Sequence, residues 1–323
     1  MPSDARASQS VLTIDLGAIA ANYRAIRERV APRADCAAVV KADAYGLGAV
    51  RVAPALARAG CRIFFVAQLG EAVALRSAVA DADIYVLNGL LHGEEKEYRR
   101  LRLIPVLNDL GQIALWQKAR NGDQKLPAAI HFDTGMSRLG LSPHEADTLA
   151  AEPQRLDGID LRYVISHLAC ADETNHPLNR EQLRRFAAIR ARFPHSKGSF
   201  ANSSGVCLGS DYHFDLVRPG CALYGINPTP EWPNPMRTVV RLDVPILQIR
   251  EIDRPASVGY GATHRFAERG RLATVGAGYA DGYLRSLSNR GFAMLGAHRL
   301  PVVGRVSMDL LTLDISAVPE GNA

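Results

Sequence analysis

The sequence predicts an α/β protein: an N-terminal (β/α)8 TIM-like barrel followed by a C-terminal mainly-β domain. Three observations carry this. Eight short runs rich in Val, Ile and Phe recur up to about residue 230, and they mostly do not alternate in polarity. That is the pattern of strands buried on both faces of a parallel sheet. Between them, apolar residues return every three or four positions, as on one face of a helix. Beyond residue 230 the helical texture stops; the Pro-rich "NPTPEWPNP" gives way to strand-like runs.

The elements follow in order. "VLTIDL" (11–16) precedes the repeats and is a candidate to pair with the second domain, which periodicity leaves open. A helix over 17–30 places Ile19, Tyr23, Ile26 and Val30 on one stripe. The eight runs are "CAAVVKA" (36–42), "RIFFVA" (62–67), "DIYVLNG" (83–89), "LIPVLN" (103–108), "AAIHFDTG" (128–135), "RYVISHLA" (162–169), "GSFANSS" (198–204) and "LVRPGCALYG" (216–225). "SPHEADTLAAE" and "NREQLRRFAAIRARF" read as helices between them. The second domain contains "TVVRLDVPILQIREI", "RLATVGAGY" and "HRLPVVGRVSMDLLTLDI". The expected division is therefore 1–230 and 231–323.

Composition narrows the function classes. The apolar share is 47% and the charged share 22%, which suits a globular chain with a sizeable core. The net charge of +5 is small, and the basic residues are scattered, as in "YRRLR" and "LRRF". They read as solvated helix faces, so no nucleic-acid partner is expected. The five cysteines (Cys36, Cys61, Cys170, Cys207 and Cys221) are odd in number and lack CxxC or metal-knuckle spacing. This predicts a reduced, cytoplasmic protein with no bound metal. No signal peptide is read in "MPSDARASQSVLTIDL", and no run approaches a ~20-residue membrane span.

Candidate chemistry begins at Lys41, which ends the strand "AAVVK". In a barrel of this type the active site lies at the C-terminal ends of the strands, so Lys41 belongs at the mouth. A lysine there either snorkels to solvent or acts as a Schiff-base nucleophile. Three other strand ends add to the picture. "ANSSG" brings Asn202, Ser203 and Ser204 before an expected helix, as suits an anion, although such a run also reads as a turn or cap. "VRPGCALYG" brings Arg218, with Gly220 allowing close backbone approach; alone, Arg218 also suits an ion pair. "SHLACADE" brings His167, which alone is more often a satisfied core residue than a catalytic one.

Taken together, "VVKADAYGLGA", "HFDTGMSRLG", "ANSSG", "VRPGCALYG", "VGYGATH", "GYADGYLR" and "VVGRVSMD" resemble the alanine racemases in content and order, over about nine-tenths of the chain. The resemblance implies pyridoxal 5'-phosphate (PLP) as cofactor, carried by Lys41 as an imine, with Lys41 also serving as one of two bases. Tyr260 would be the other base, reaching the site of its partner in a homodimer. Tyr45, Asn202, Ser203, Gly220, Cys221 and Tyr224 would hold the phosphate end. Arg218 would meet the pyridine nitrogen, with His167 against the ring. Arg138, Tyr279, Met308 and Asp309 would form the substrate side. The implied activity interconverts L- and D-alanine for peptidoglycan.

Two departures stand out. Many family members carry a carbamylated lysine at the position of His131, which steadies the arginine matching Arg138. Histidine supplies no such anion, so a chloride, a carboxylate or a repositioned hydrogen bond is expected instead. Family members also extend past "DISAVPEGNA", so the β domain is expected to be short at its end and to miss one phosphate-binding tyrosine. The rival readings are a broader amino-acid racemase, a decarboxylase of like architecture, and a PLP-binding chain without activity. Such decarboxylases take a cysteine from the second domain, and none lies beyond Cys221. Retention of Tyr260 and most of the β domain weighs against the last.

Overall fold

The computed structural model describes residues 10–319. The described residues form two compact units: Ile14–Val240, and 10–13 together with 241–319.

The larger unit is the barrel. Its strands are β2 (Asp35–Cys36), β3 (Ala38–Val39), β4 (Ile63–Val66), β5 (Asp83–Val86), β6 (Leu103–Leu107), β7 (Leu126–His131), β8 (Ile159–Ile165), β9 (Lys197–Ser199) and β10 (Leu216–Val217). They run in the order β2-β10-β9-β8-β7-β6-β5-β4-β3. β2 and β3 are two halves of one strand, parted only by Ala37. β2 pairs in parallel with β10, and β3 with β4. Ala37 and Val39 donate onward to the carbonyls of Val217 and Pro219, each at 3.0 Å. The sheet therefore closes on itself as an eight-stranded parallel barrel.

Two layers explain why the runs do not alternate. Val39, Phe65, Tyr85, Val106, Tyr163, Ile165 and Leu216 point into the barrel and form one buried cluster. Their neighbours Ala38, Phe64, Ile84, Leu107, Ile130 and Val164 face outward into a second cluster with the helices. Both faces are dry, so both are apolar.

The helices of this unit are α1 (Leu16–Val30), α2 (Ala49–Arg58), α3 (Leu69–Ala78), α4 (Glu95–Arg100), α5 (Leu110–Lys118), α6 (Pro143–Ala151) and α7 (Pro177–Arg192). Asp15 caps α1 by accepting from Ala18 N–H, and Ile19, Tyr23, Ile26 and Val30 are its buried stripe. Ser142 and Glu145 cap α6 reciprocally. Strand β9 departs from expectation. A three-residue 3-10 turn, Gly205–Cys207, stands where "ANSSG" predicts a helix, and Cys221–Tyr224 after β10 is likewise a single 3-10 turn.

The smaller unit is built from strands and 3-10 turns among the described residues. β1 (Val11–Ile14) pairs with β11 (Val240–Asp243). β12 (Ile246–Ile252), β15 (Gly270–Val275) and β18 (Leu311–Asp314) form an antiparallel sheet. Two hairpins complete it: β13 (Ala256–Val258) with β14 (His264–Phe266), and β16 (Phe292–Leu295) with β17 (His298–Pro301). Ala273, Val275, Val302, Leu311 and Leu313 form its core. Among the described residues no helix is long and apolar enough to cross a membrane.

Candidate active site

Lys41 follows β3 and opens an unusual segment. Residues Ala42, Asp43, Ala44 and Tyr45 all have φ between 52° and 58°, a left-handed turn without glycine. Such backbone costs roughly 1–2 kcal/mol per residue, so it needs outside support. Asp43 accepts from Ala49 N–H at 2.7 Å. Glu71 of α3 accepts from Ala42 N–H at 2.6 Å through one oxygen and from Ala67 N–H at 2.6 Å through the other. Burial first, then the Arg138 guanidinium, holds the Lys41 ammonium below its ordinary pKa, while Glu71 pulls the other way.

Arg218, one residue past β10, is buried. Its terminal nitrogens donate to Ser199 Oγ and to the Ser166 carbonyl, both at 2.5 Å. Neither acceptor is charged, and no carboxylate pairs with Arg218 among the described residues. Burial lowers its pKa to about 10. His167 lies two residues past β8. Burial, then Arg218, Arg138, His131 and Lys41, pushes its imidazole well below the ordinary range. The mouth is thus rich in cations and poor in anions.

His131, at the end of β7, is equally uncharged at neutral pH. Burial first, then Arg218, takes its pKa down to about 4. Its Nδ1 lies 2.9 Å from Asn108 Oδ1. The Asn108 amide nitrogen already donates to the carbonyls of Leu87 and Val106, so Oδ1 must accept and His131 Nδ1 must carry the proton. This hydrogen bond to Asn108 stands at the position where many family members carry the carbamylated lysine. The adjoining loop, which carries Arg138, folds around Asp133, whose carboxylate accepts from Gly135, Met136 and Ser137 N–H.

The 3-10 turns after β9 and β10 meet at Ser203. Its buried Oγ accepts from Gly220 N–H at 2.9 Å and Ala222 N–H at 3.2 Å. That leaves the Ser203 hydroxyl proton free to donate outward. A Cβ on Gly220 would lie 2.3 Å from the Tyr45 hydroxyl, so any larger residue would displace the Tyr45 side chain. Tyr45 and Tyr224 pack with ring centroids 4.7 Å apart. The Tyr224 hydroxyl donates to the Val39 carbonyl at 2.8 Å, so Tyr224 supports Tyr45 rather than offering a free hydroxyl. Asn202 accepts from Gly205 N–H and shapes the same turn, and Cys221 begins the turn after β10.

The structure thus gathers Lys41, Tyr45, Arg138, His167, Asn202, Ser203, Arg218, Gly220, Cys221 and Tyr224 at the C-terminal ends of the strands. The remaining predicted residues lie in the smaller unit. Tyr260 sits in the exposed 3-10 turn between β13 and β14 and is 69% exposed. Tyr279 N–H donates to the Ser307 carbonyl, and Ala280 N–H to that of Met308, which sets exposed Tyr279 beside Met308 and Asp309.

A buried guanidinium without a counter-ion and a glycine cradle ringed by hydroxyls and N–H groups together call for an anionic ligand bearing one further acceptor. PLP, the cofactor that the resemblance implies, is a ligand of that kind: it carries a phosphate and a pyridine nitrogen. A separate cleft of about 790 Å³, lined by Arg99, Arg102, Lys125 and Arg162, opens near the N-terminal ends of β5 to β8; no mouth residue lines it.

Sequence reading missed Glu71, Asn108 and Asp133. Asn108 ends "LIPVLN", so the strand-end rule would have found it. Glu71 in "QLGEA" carries only the signal of a helix first turn.

Comparison with known proteins adds independent findings. The family model described as "Alanine racemase, N-terminal domain" matches residues 14–228, and "Alanine racemase, C-terminal domain" matches 239–323. The alanine racemase of Rhodospirillum rubrum is 55% identical, over 97% of this chain and 84% of its own. A catabolic alanine racemase of Mesorhizobium japonicum is 51% identical, over 99% and 84%. The Bartonella henselae alanine racemase, solved with covalently bound pyridoxal phosphate, superposes with a TM-score of 0.90 at 43% identity, over 97% of this chain and 88% of that one. The biosynthetic enzyme of Pseudomonas aeruginosa gives 0.90 at 37%, over 97% and 87%.

Proposed function

The chain belongs to the alanine racemase family, and from that premise we propose that it interconverts L- and D-alanine with PLP, using Lys41 and Tyr260 as its two bases. The observation that carries this reading is the cation-rich barrel mouth, where Lys41 follows the strand next to the one that leads to a buried, uncompensated Arg218.

When bound, PLP supplies the electron sink that makes the Cα proton of alanine removable. The rest falls to the chain. Ser203, Tyr45, Asn202 and the backbone at Gly220 and Cys221 would hold the phosphate, with Tyr224 behind Tyr45. Arg218, a donor that keeps its proton, would leave the ring nitrogen unprotonated. His167, a neutral imidazole, would lie against the ring. The lowered pKa of Lys41 raises its neutral fraction, as a base near neutral pH requires. Lys41 takes or returns the proton on one face of Cα. Tyr260, exposed in its turn, serves the other face from the partner subunit of a homodimer. By the resemblance, Arg138 in the larger unit and Tyr279, Met308 and Asp309 in the smaller one are substrate-side residues, with Tyr279 at the entrance. The enzyme works in the cytoplasm and supplies D-alanine to peptidoglycan.

The test is D-alanine formation from L-alanine by the purified chain with excess PLP. Turnover is expected, and it should vanish in both Lys41→Ala and Tyr260→Phe. Either variant retaining full turnover would overturn the two-base assignment.

A further inference from the structure

We infer that Glu71 is a positioning residue for Lys41: its carboxylate clamps the left-handed turn that aims the lysine into the barrel mouth. The inference rests on the reading of Lys41 as the residue that receives PLP.

The geometry is specific. Four consecutive residues after Lys41 adopt left-handed backbone, and none is glycine. Local bonds support the far side of the turn, from Ala49 N–H to Asp43 and from Gly48 N–H to the Asp43 carbonyl. At the near side, next to Lys41, the Ala42 N–H points away from its own segment. Its acceptor is Glu71 Oε1 at 2.6 Å. The other Glu71 oxygen takes Ala67 N–H at 2.6 Å and Gln68 N–H at 3.3 Å. One carboxylate thus ties the turn after β3 to the loop after β4. Both oxygens face N–H donors, and only an ionised carboxylate satisfies both sides. Glu71 is also the acidic group whose field reaches Lys41.

Glutamine at this position keeps one acceptor but sets its NH2 against an N–H donor. Ala42 then loses its tie or Ala67 does, and the turn is free to relax toward ordinary backbone. Lys41 would leave its aim while the barrel stays intact.

The experiment compares wild type, Glu71→Gln, Ala42→Gly and the double variant. Ala42 is exposed, and glycine adopts left-handed backbone without penalty, so Ala42→Gly replaces the clamp's function by another route. The first readout is amide hydrogen exchange of the apo-chain over residues 41–46. The second is the rate at which borohydride-trappable PLP accumulates on Lys41. In Glu71→Gln, exchange should rise at least tenfold and covalent capture should fall at least tenfold. The double variant should recover at least threefold in capture. Unchanged exchange and capture in Glu71→Gln would overturn the inference, as would a loss that Ala42→Gly fails to relieve. Should Glu71→Gln not fold, Glu71→Asp, whose shorter carboxylate cannot span both donors, is read in the same way. The exchange measurement needs neither cofactor nor turnover. A wild-type chain that captured no PLP would therefore sink the functional reading and leave the clamp separately decided.

Discussion

His131 shows how one amide can set the charge of a site. Asn108 is pinned by two donor bonds, so its oxygen fixes the proton on His131 Nδ1. Burial and Arg218 then keep the ring neutral down to about pH 4. A free histidine titrates near 6.5, so between pH 6.5 and 4 the unfolded chain binds the extra proton. Folding stability therefore falls as the pH drops through that window. At 1.36 kcal/mol per pKa unit, His131 accounts for about 3 kcal/mol. Denaturant unfolding of the apo-chain between pH 7 and 4 should show this loss, and His131→Asn should flatten the slope. His167 acts in the same direction, so part of the slope should persist in that variant. The charge pattern at the mouth was readable in outline, because Lys41, Arg138, His167 and Arg218 sit in distinctive motifs. Asn108 closes an apolar run, where the strand-end rule places it at the mouth, but nothing in the sequence announces its bond to His131.

The elements were legible wherever burial alone determined them. All eight apolar runs became barrel strands because both faces of each are dry, and α1 buries the stripe its spacing marks. The left-handed turn was not legible. "KADAY" contains no glycine to announce it, and its cause lies thirty residues away in Glu71. Helix α7 carries a similar hidden role. Its buried Gln182 donates to Thr134 Oγ1 and the His167 carbonyl, and accepts from Ala169 N–H at 2.9 Å. Thr134 in turn shares a hydrogen bond with Ser166, whose carbonyl receives Arg218. Gln182→Leu keeps the volume but strands at least two part-buried backbone groups. At roughly 1–3 kcal/mol for each, stability should fall by roughly 2–6 kcal/mol in a denaturant titration. A loss below 1 kcal/mol would show that water replaces the amide.

At the scale of the molecule, the proposed site draws Lys41 from one protomer and Tyr260 from its partner. Mixed populations of Lys41→Ala and Tyr260→Phe chains test this directly. Random reassortment makes half the dimers mixed, each with one intact site, so about a quarter of wild-type activity should return. If Tyr260 served the site of its own chain, every site would carry a lesion and nothing would return. The two compact units part between Val240 and Arg241, ten residues past the change of texture near residue 230, and the first strand is assigned in space through its pairing with β11. Buried, uncompensated Arg218 also has a consequence for the chain before any cofactor arrives. A guanidinium held out of water without a counter-charge makes the empty protein an ion exchanger with one strong site. Its stability then depends on the salt chosen to dissolve it as well as on its sequence. Multivalent oxyanions that enter the mouth should stabilise the fold by RT ln(1 + c/Kd), c being the free anion concentration, and compete with loading, so apo-chain unfolding is expected at higher denaturant in phosphate than in chloride.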